Sequence, residues 1–286
     1  MIDALIHQFT RAYASVVPTG RGAFFVARWA RRFSKHPHGL HEHQPWKGAR
    51  MNLDLSAYPD YGMAFGLFEI DVHRAIRATL RPGGWFVDCG ANVGYFTLAA
   101  ARCVGNNGRI DSVEPDAVNH ARLLEHVRVN ALTHVVRPHA VALGDSPGEL
   151  VLYRPENAGA NHGMASTHAG LLPGAKGHVV PVRRLDDLIT AGTPDLIKVD
   201  IEGAELSALR GAERLLSAEK PPSLIVEHNP ETAAAAGFTP GDIMRFVQRV
   251  QPRYRVYWLG WRRREIKSPD ALDRTTRQGN IFFCVT

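Results

Sequence analysis

The sequence predicts a doubly wound α/β fold, with a mostly parallel seven-stranded sheet and an N-terminal helical extension. Three observations carry this reading. From residue 85 onward short apolar strand segments alternate with helical ones, the pattern of a parallel sheet with crossover helices. A glycine turn, Asp88-Cys-Gly-Ala-Asn-Val-Gly94, joins the first strand to its helix. Tyr254 to Leu259 and Ile281 to Val285 then read as a hairpin-like pair.

In chain order, residues 2–17 place Ile2, Leu5, Ile6, Phe9, Tyr13, Val16 and Val17 at helical spacing. Pro18 and Gly20 interrupt that helix, and Phe24 to Phe33 form a second, mixing aromatic residues with Arg28, Arg31 and Arg32. His36 to His43 reads as a loop. The strands of the sheet follow at Trp85 to Cys89, Arg109 to Val113, Val135 to Leu143, Leu196 to Asp200 and Ser223 to Glu227, with helices after each. Glu149 to Tyr153 and Val179 to Val182 are a β excursion around a Gly/Asn-rich loop at 156–178 that carries Asn157, Asn161, His162, Ser166 and His168. That loop is the expected lid over the acceptor. The division is a basic helical extension, 1–50, and a catalytic domain, 51–286.

The chain has 286 residues, 45% of them hydrophobic and 22% charged, enough for a sizeable core. Its net charge of +6 resides entirely in residues 1–50, where Arg11, Arg21, Arg28, Arg31, Arg32, Lys35, Lys47 and Arg50 face only Asp3 and Glu42. The remainder is neutral and lacks the basic footprint that nucleic acid requires. Three scattered cysteines, without CxxC spacing, argue against a disulfide framework or structural zinc. No apolar run reaches membrane-spanning length and no secretory signal is evident, so a cytoplasmic location is expected. For Phe24 to Phe33, packing onto the domain is preferred over peripheral contact with an anionic membrane.

Ligands of doubly wound sheets bind beyond the carboxyl ends of the strands, over the first strand–helix turn. Asp88, Gly90, Asn92 and Gly94 are therefore candidates for cofactor binding, the glycines allowing close backbone approach. Asn92 stands where a dinucleotide fingerprint has its second glycine, which disfavours a diphosphate and hence a dehydrogenase. Glu114, at the end of the second strand, can accept two hydrogen bonds from a ribose diol. Asp145, after the third strand, can accept from an adenine amino group.

These stretches, with others along the chain, resemble the FkbM family of S-adenosylmethionine-dependent methyltransferases. The resemblance runs through Gly66-Leu-Phe-Glu69, Pro82 to Gly94, Val113-Glu-Pro115, Ala142-Leu-Gly-Asp145, Leu185-Asp-Asp187, Asp195 to Glu205, Leu209-Arg-Gly-Ala212 and Val226-Glu-His228, within about residues 50–286. It implies the class I methyltransferase Rossmann-like fold, S-adenosylmethionine as cofactor, and O-methylation of a sugar, a glycosylated natural product or a glycolipid. Glu69, beside Gly66, would cover the cofactor.

The fourth and fifth strand ends are expected to face the methyl group. Lys198 and Asp200, two apart on one strand, project to the same side. A charge within an apolar run needs a partner, which Asp200, Glu114 or Glu227 can supply to Lys198. Asp200 is the expected general base, and Glu227 and His228 share the proton or bind the acceptor. The competing role is Mg²⁺ held by Asp200, Glu227 and His228 or Asn229. Glu202 and Glu205, opening the next helix, suit its N-terminal dipole. The alternatives on this fold are a non-catalytic nucleotide-binding protein and a nucleic-acid methyltransferase.

Overall fold

The computed structural model describes residues 2–16, 22–33, 38–155, 175–260 and 262–285. Helices α1 (Ile2–Val16) and α2 (Ala23–Arg31) precede an antiparallel pair, β1 (Leu40–His43) and β2 (Met51–Asp54). Helices α3 (Asp60–Ala64) and α4 (Ile70–Thr79) lead to β3 (Trp85–Cys89), α5 (Tyr95–Val104), β4 (Arg109–Val113), α6 (Ala117–Val129) and β5 (Val136–His139). A small sheet of β6 (Ala142–Leu143), β7 (Gly148–Pro155) and β8 (Ala175–Arg183) follows, then α7 (Leu185–Leu188). The chain continues through β9 (Leu196–Val199), α8 (Glu205–Arg210), α9 (Glu213–Leu216), β10 (Ser223–His228), α10 (Pro230–Ala235) and α11 (Pro240–Val250). Last come β11 (Tyr254–Trp258), β12 (Arg264–Ile266), α12 (Pro269–Asp273) and β13 (Gly279–Val285).

The main sheet runs β12-β11-β13-β10-β9-β3-β4-β5. It is parallel from β10 to β5 and antiparallel on the β13 side, a mostly parallel sheet of the doubly wound α/β kind. Neighbouring residues on one strand serve opposite faces. Phe86 packs with α4, α5 and the N-terminal helices, whereas Val87 and Cys89 pack with α8, α9 and α11. With both faces covered, the central strands are buried along nearly their whole length rather than alternating between buried and exposed.

Two details of the sequence reading change. The described main sheet has eight strands rather than seven, because Arg264–Ile266 pairs with β11 as an edge strand whose exposed Arg264 and Glu265 suit an edge. The segment read as a third strand also divides: β5 joins the main sheet, while β6 turns away to pair with β8.

The N-terminal segment is tied into this core. Leu40–His43, read as part of a loop, pairs with Met51–Asp54, so the boundary set at residue 50 falls inside a hairpin. Asp60 accepts from the Asp54 amide at 2.9 Å and from the Arg122 guanidinium at 2.6 Å. The buried His126 lies between the Asn52 amide at 2.9 Å and the Val93 carbonyl at 2.7 Å. Ile6, Ala23, Ala27 and Ala30 belong to the same cluster as Phe86.

The strand order reverses at β3, whose neighbours are β4 and β9, and this switch point places a crevice at the strands' carboxyl ends. There Gly90 has φ 79°, and a Cβ on it would lie 1.8 Å from the Asp200 carbonyl oxygen. Glycine is demanded by the neighbouring strand's backbone as much as by any ligand. Gly90→Ala is therefore expected to lower stability by at least about 3 kcal/mol; a denaturant midpoint close to wild type would refute the close approach.

Candidate active site

A cleft of about 550 Å³ opens over the carboxyl ends of β3, β4, β9 and β10, within the range of small-molecule sites. Of the residues the sequence singled out, Glu69, Gly90, Asn92, Glu114, Lys198, Asp200 and Glu227 line it. Asp88, Gly94, Asp145 and His228 do not.

At the β4 end, Asn92 has φ 51° and donates its amide to Glu114 Oε2 at 2.8 Å. The Asp116 amide donates to Glu114 Oε1 at 2.9 Å. The carboxylate thus fixes the turn while its residue faces the cleft. Burial pushes Glu114 up to about 7, against the pull of those two amides. Val141, Ala142, Leu143, Leu150 and Leu152 form an apolar wall beside it, and the buried Asn119 Oδ1 has no hydrogen-bond partner among the described residues.

Asp145 lies outside this end. The Gly144 amide pairs with the Arg183 carbonyl in the small sheet, and the chain turns outward so that exposed Asp145 accepts from Ser146 Oγ at 3.1 Å. The surface available to a base here is apolar, not an acid. Gly94 (φ 90°) caps α5, where a Cβ would approach Leu123 Cδ1 to 2.7 Å. Its glycine serves helix packing rather than ligand approach.

At the β9–β10 end, Lys198 is buried and donates to Asp200 Oδ2 at 2.8 Å, with Nζ 5.0 Å from the centre of the Phe96 ring. Burial alone would lower its pKa. Asp200, Asp88 and Glu69 more than offset this, so the ammonium is held above its ordinary value. Asp88 sits directly across from Lys198 in the β3–β9 register, beneath the cleft, and accepts from Thr97 Oγ1 at 2.7 Å. Burial pushes it up to about 6. Its place in the glycine motif is that of a counter-charge under the floor, not a ligand contact.

Further acids surround the pair. Glu69 has φ 42° at the start of α4 and accepts from Asn280 Nδ2 at 3.3 Å through Oε1. Glu69 Oε2 and Glu227 Oε2 are buried without hydrogen-bond partners among the described residues. Burial, then Asp200, raises Glu69, Glu202 and Glu227, the last well above the carboxylic range. Glu205 turns inward and accepts from the amides of Ile201 and Gly203, at 3.1 and 3.0 Å. Glu202 (φ 52°) faces the cleft instead, so of two acids with one sequence reading only Glu205 is a backbone anchor.

His228 follows Glu227 and points to the other side of β10. Its ring nitrogens meet the carbonyls of Arg277 at 2.7 Å and Leu272 at 3.3 Å, and its ring packs on Trp258. It can neither share the proton nor ligate an ion in the cleft. Asn229 lines the cleft, but its Oδ1 caps α10, accepting from Glu231 and Thr232. Among the described residues, no group of three or more His, Cys, Asp or Glu side chains is arranged to hold a metal ion.

Tyr58, Asn119 and Gln278 also line the cleft. No motif marks them: Tyr58 and Gln278 arrive from segments distant in sequence from the strand ends, and Asn119 from the first turn of α6. The expected lid lies outside the described residues at 156–174, and Ala175 to His178 are the start of β8.

Solved structures with a similar fold include Methyltransferase FkbM from Methylobacillus flagellatus KT, at 20% identity and TM-score 0.46, over 80% of this chain and 56% of that one. The O-methyltransferase TomG from Streptomyces achromogenes, involved in tomaymycin synthesis and solved with S-adenosylmethionine, gives 13% and 0.41, over 75% and 77%. Precorrin-6y C5,15-methyltransferase from Geobacter metallireducens GS-15 gives 12% and 0.40, over 74% and 84%. The chain thus spans little more than half the length of the first of these. No curated protein matches its sequence. The Methyltransferase FkbM domain model matches residues 88–255, more than half of the chain, and the protein belongs to that family.

Proposed function

We propose that the protein moves the methyl group of S-adenosylmethionine to a hydroxyl of a small acceptor: a sugar, a glycosylated natural product or a glycolipid. The observation that carries this reading is a single cleft with two chemically different ends: Glu114 beside an apolar wall, and the Lys198–Asp200 pair among further acids. The first end fits an adenosine. Each Glu114 oxygen already accepts one amide and keeps a lone pair for a ribose hydroxyl. The apolar wall suits a purine face, and Asn119 Oδ1 is a further acceptor. The second end suits a cationic ligand, since Glu69, Asp200 and Glu202 face one ammonium. The same acidity disfavours a phosphate backbone, and so a nucleic-acid acceptor.

Bound S-adenosylmethionine supplies an electrophilic methyl group and a neutral thioether leaving group. Lys198 holds Asp200 Oδ2 and so orients the carboxylate, leaving Oδ1 to take the acceptor's hydroxyl proton. As the new O–C bond forms, the electrons of the breaking C–S bond pass to sulfur. A positioned base typically contributes about 10²–10⁴-fold, and in-line alignment of the hydroxyl supplies much of the rest. Glu227, raised far above neutrality, keeps its proton and donates a hydrogen bond to the acceptor.

Calorimetric titration with S-adenosylhomocysteine, with NAD, and with and without Mg²⁺ tests the cofactor. Binding of the homocysteine product but not of NAD is expected, and no binding of either would overturn the reading. Because Glu114 also anchors two amides, Glu114→Gln is the informative variant. It is expected to weaken S-adenosylhomocysteine binding tenfold to a hundredfold, about 1.5–3 kcal/mol, with the melting transition still cooperative; unchanged affinity removes the ribose role.

Hydroxylated acceptors are then screened by release of S-adenosylhomocysteine. On the acceptor found, Asp200→Asn should lose about 10²–10⁴ in kcat while cofactor affinity holds. Normal turnover would show that Asp200 is not the base.

The buried acids also set a pH dependence. Asp88 and Glu114 titrate near 6 and 7 when folded, above their ordinary values of 3.8 and 4.5. The folded chain therefore holds protons that the unfolded chain has lost, and stability falls as pH rises through this range. Each group contributes a slope of up to about 1.4 kcal/mol per pH unit. Buried His73, His126 and His228, held below their ordinary 6.5, act in the opposite sense up to about that pH. Without ligand, the melting temperature should therefore decline from pH 6.5 to pH 7.5 at constant ionic strength. A rise would contradict the burial of these carboxyls.

A further inference from the structure

Helix α2 packs with its small residues inward and its large ones outward. Ala23, Ala27 and Ala30 are buried, while Phe25 is 70% exposed, Trp29 48% and Phe24 43%. Phe33, just beyond the helix, is 52% exposed, as is Phe9 on α1. The exposed rings touch in two groups along α2: Phe9 meets Trp29 at 5.8 Å and Trp29 meets Phe33 at 5.0 Å, while Phe24 meets Phe25 at 5.7 Å. A helix held only by its own domain would bury these rings and expose the alanines. Single exposed hydrophobics are ordinary, but rings grouped along one ridge mark an interaction surface.

Charge indicates what the ridge meets. Arg28 and Arg32, four apart and exposed, flank Trp29 and Phe33. Arg31 faces the domain instead, donating to the Ser56 carbonyl at 3.2 Å and lying 5.6 Å above the Tyr61 ring. The whole +6 surplus of the chain belongs to residues 1–50, which include the ridge, so a second copy would set two basic surfaces against each other. Aromatic rings interleaved with guanidinium groups match the boundary of an anionic bilayer, where rings enter the headgroup layer and arginines meet phosphates. No described helix is long and apolar enough to cross a membrane, so the contact is superficial.

The ridge also abuts the cleft. Phe24 meets Tyr58 at 5.6 Å, Tyr58 meets Phe68 at 5.9 Å, and both Tyr58 and Phe68 line the cleft. We propose that the α1–α2 ridge seats the protein on an anionic phospholipid surface, with the Tyr58 side of the cleft next to the headgroup layer. This rests on the surface alone and stands apart from the methyl-transfer reading.

The test is co-sedimentation of the full chain with vesicles of phosphatidylcholine alone and of phosphatidylcholine with phosphatidylglycerol. At least about tenfold tighter binding to the anionic vesicles is expected, weakening with salt. Phe25→Ser with Trp29→Ser, and separately Arg28→Glu with Arg32→Glu, should each lose about tenfold or more of that binding. Unchanged circular dichroism and melting temperature would confirm that both variants are folded. The proposal is overturned if wild type binds both vesicles alike, or if the folded variants bind as wild type does. It is equally overturned if light scattering finds a dimer that Phe25→Ser with Trp29→Ser dissociates, for the ridge is then a protein interface.

Discussion

The buried ammonium of Lys198 is the charge around which the cleft is arranged. On β9, within an apolar run, it is acceptable only because Asp200 binds it directly and Asp88 lies opposite it in the register. The dependence is mutual. Without this cation Asp88, Asp200 and Glu69 would crowd into a buried volume with nothing to offset their repulsion. The pair also gives the site a direction, because Asp200 is held by one oxygen and is more accessible than the lysine behind it.

Backbone geometry provides the second constraint. Gly90 and Asp200 directly follow the two strands at the switch point and pass so closely that only glycine fits. That contact brings the glycine turn and the acidic strand end into one crevice. Glu114 extends the arrangement to β4 by holding the Asn92 and Asp116 amides. Three strand ends are thereby locked together, and the proposed cofactor and acceptor ends of the cleft share one rigid floor. Catalysis by alignment needs such a floor, since small displacements of the reacting atoms are costly.

The segment before β3 contributes more than an appendage would. Through Asp60, Arg122 and His126 it is wired to α6 and to the turn after β3, and through Tyr58 it forms one side of the cleft. Its alanine-lined inner face and aromatic outer face follow from the same helix period read in two directions. The aromatic outer face and the cleft thus meet where Phe24 packs on Tyr58.

Strand–helix alternation, the glycine turn and acids at strand ends are local patterns, so the α/β fold and the placement of Gly90, Asn92, Glu114, Lys198, Asp200 and Glu227 were legible in the sequence. Where a strand ends and which sheet it joins are not local. β10 runs on through His228, so that residue takes the face opposite Glu227, and Asp145 follows a strand that leaves the main sheet for another. Gly94 and Gly90 look alike in sequence, but one yields to Leu123 and the other to the Asp200 backbone. Glu202 and Glu205 share a sequence reading, and only the turn's backbone dihedrals decide which anchors amides and which faces the cleft. The sequence by itself determined the order of the elements and which residues stand at the strand ends, because periodicity and turn chemistry act over a few residues. Tertiary structure alone decided which of those side chains share one cleft, because that depends on sheet order and on contacts between residues far apart in the chain.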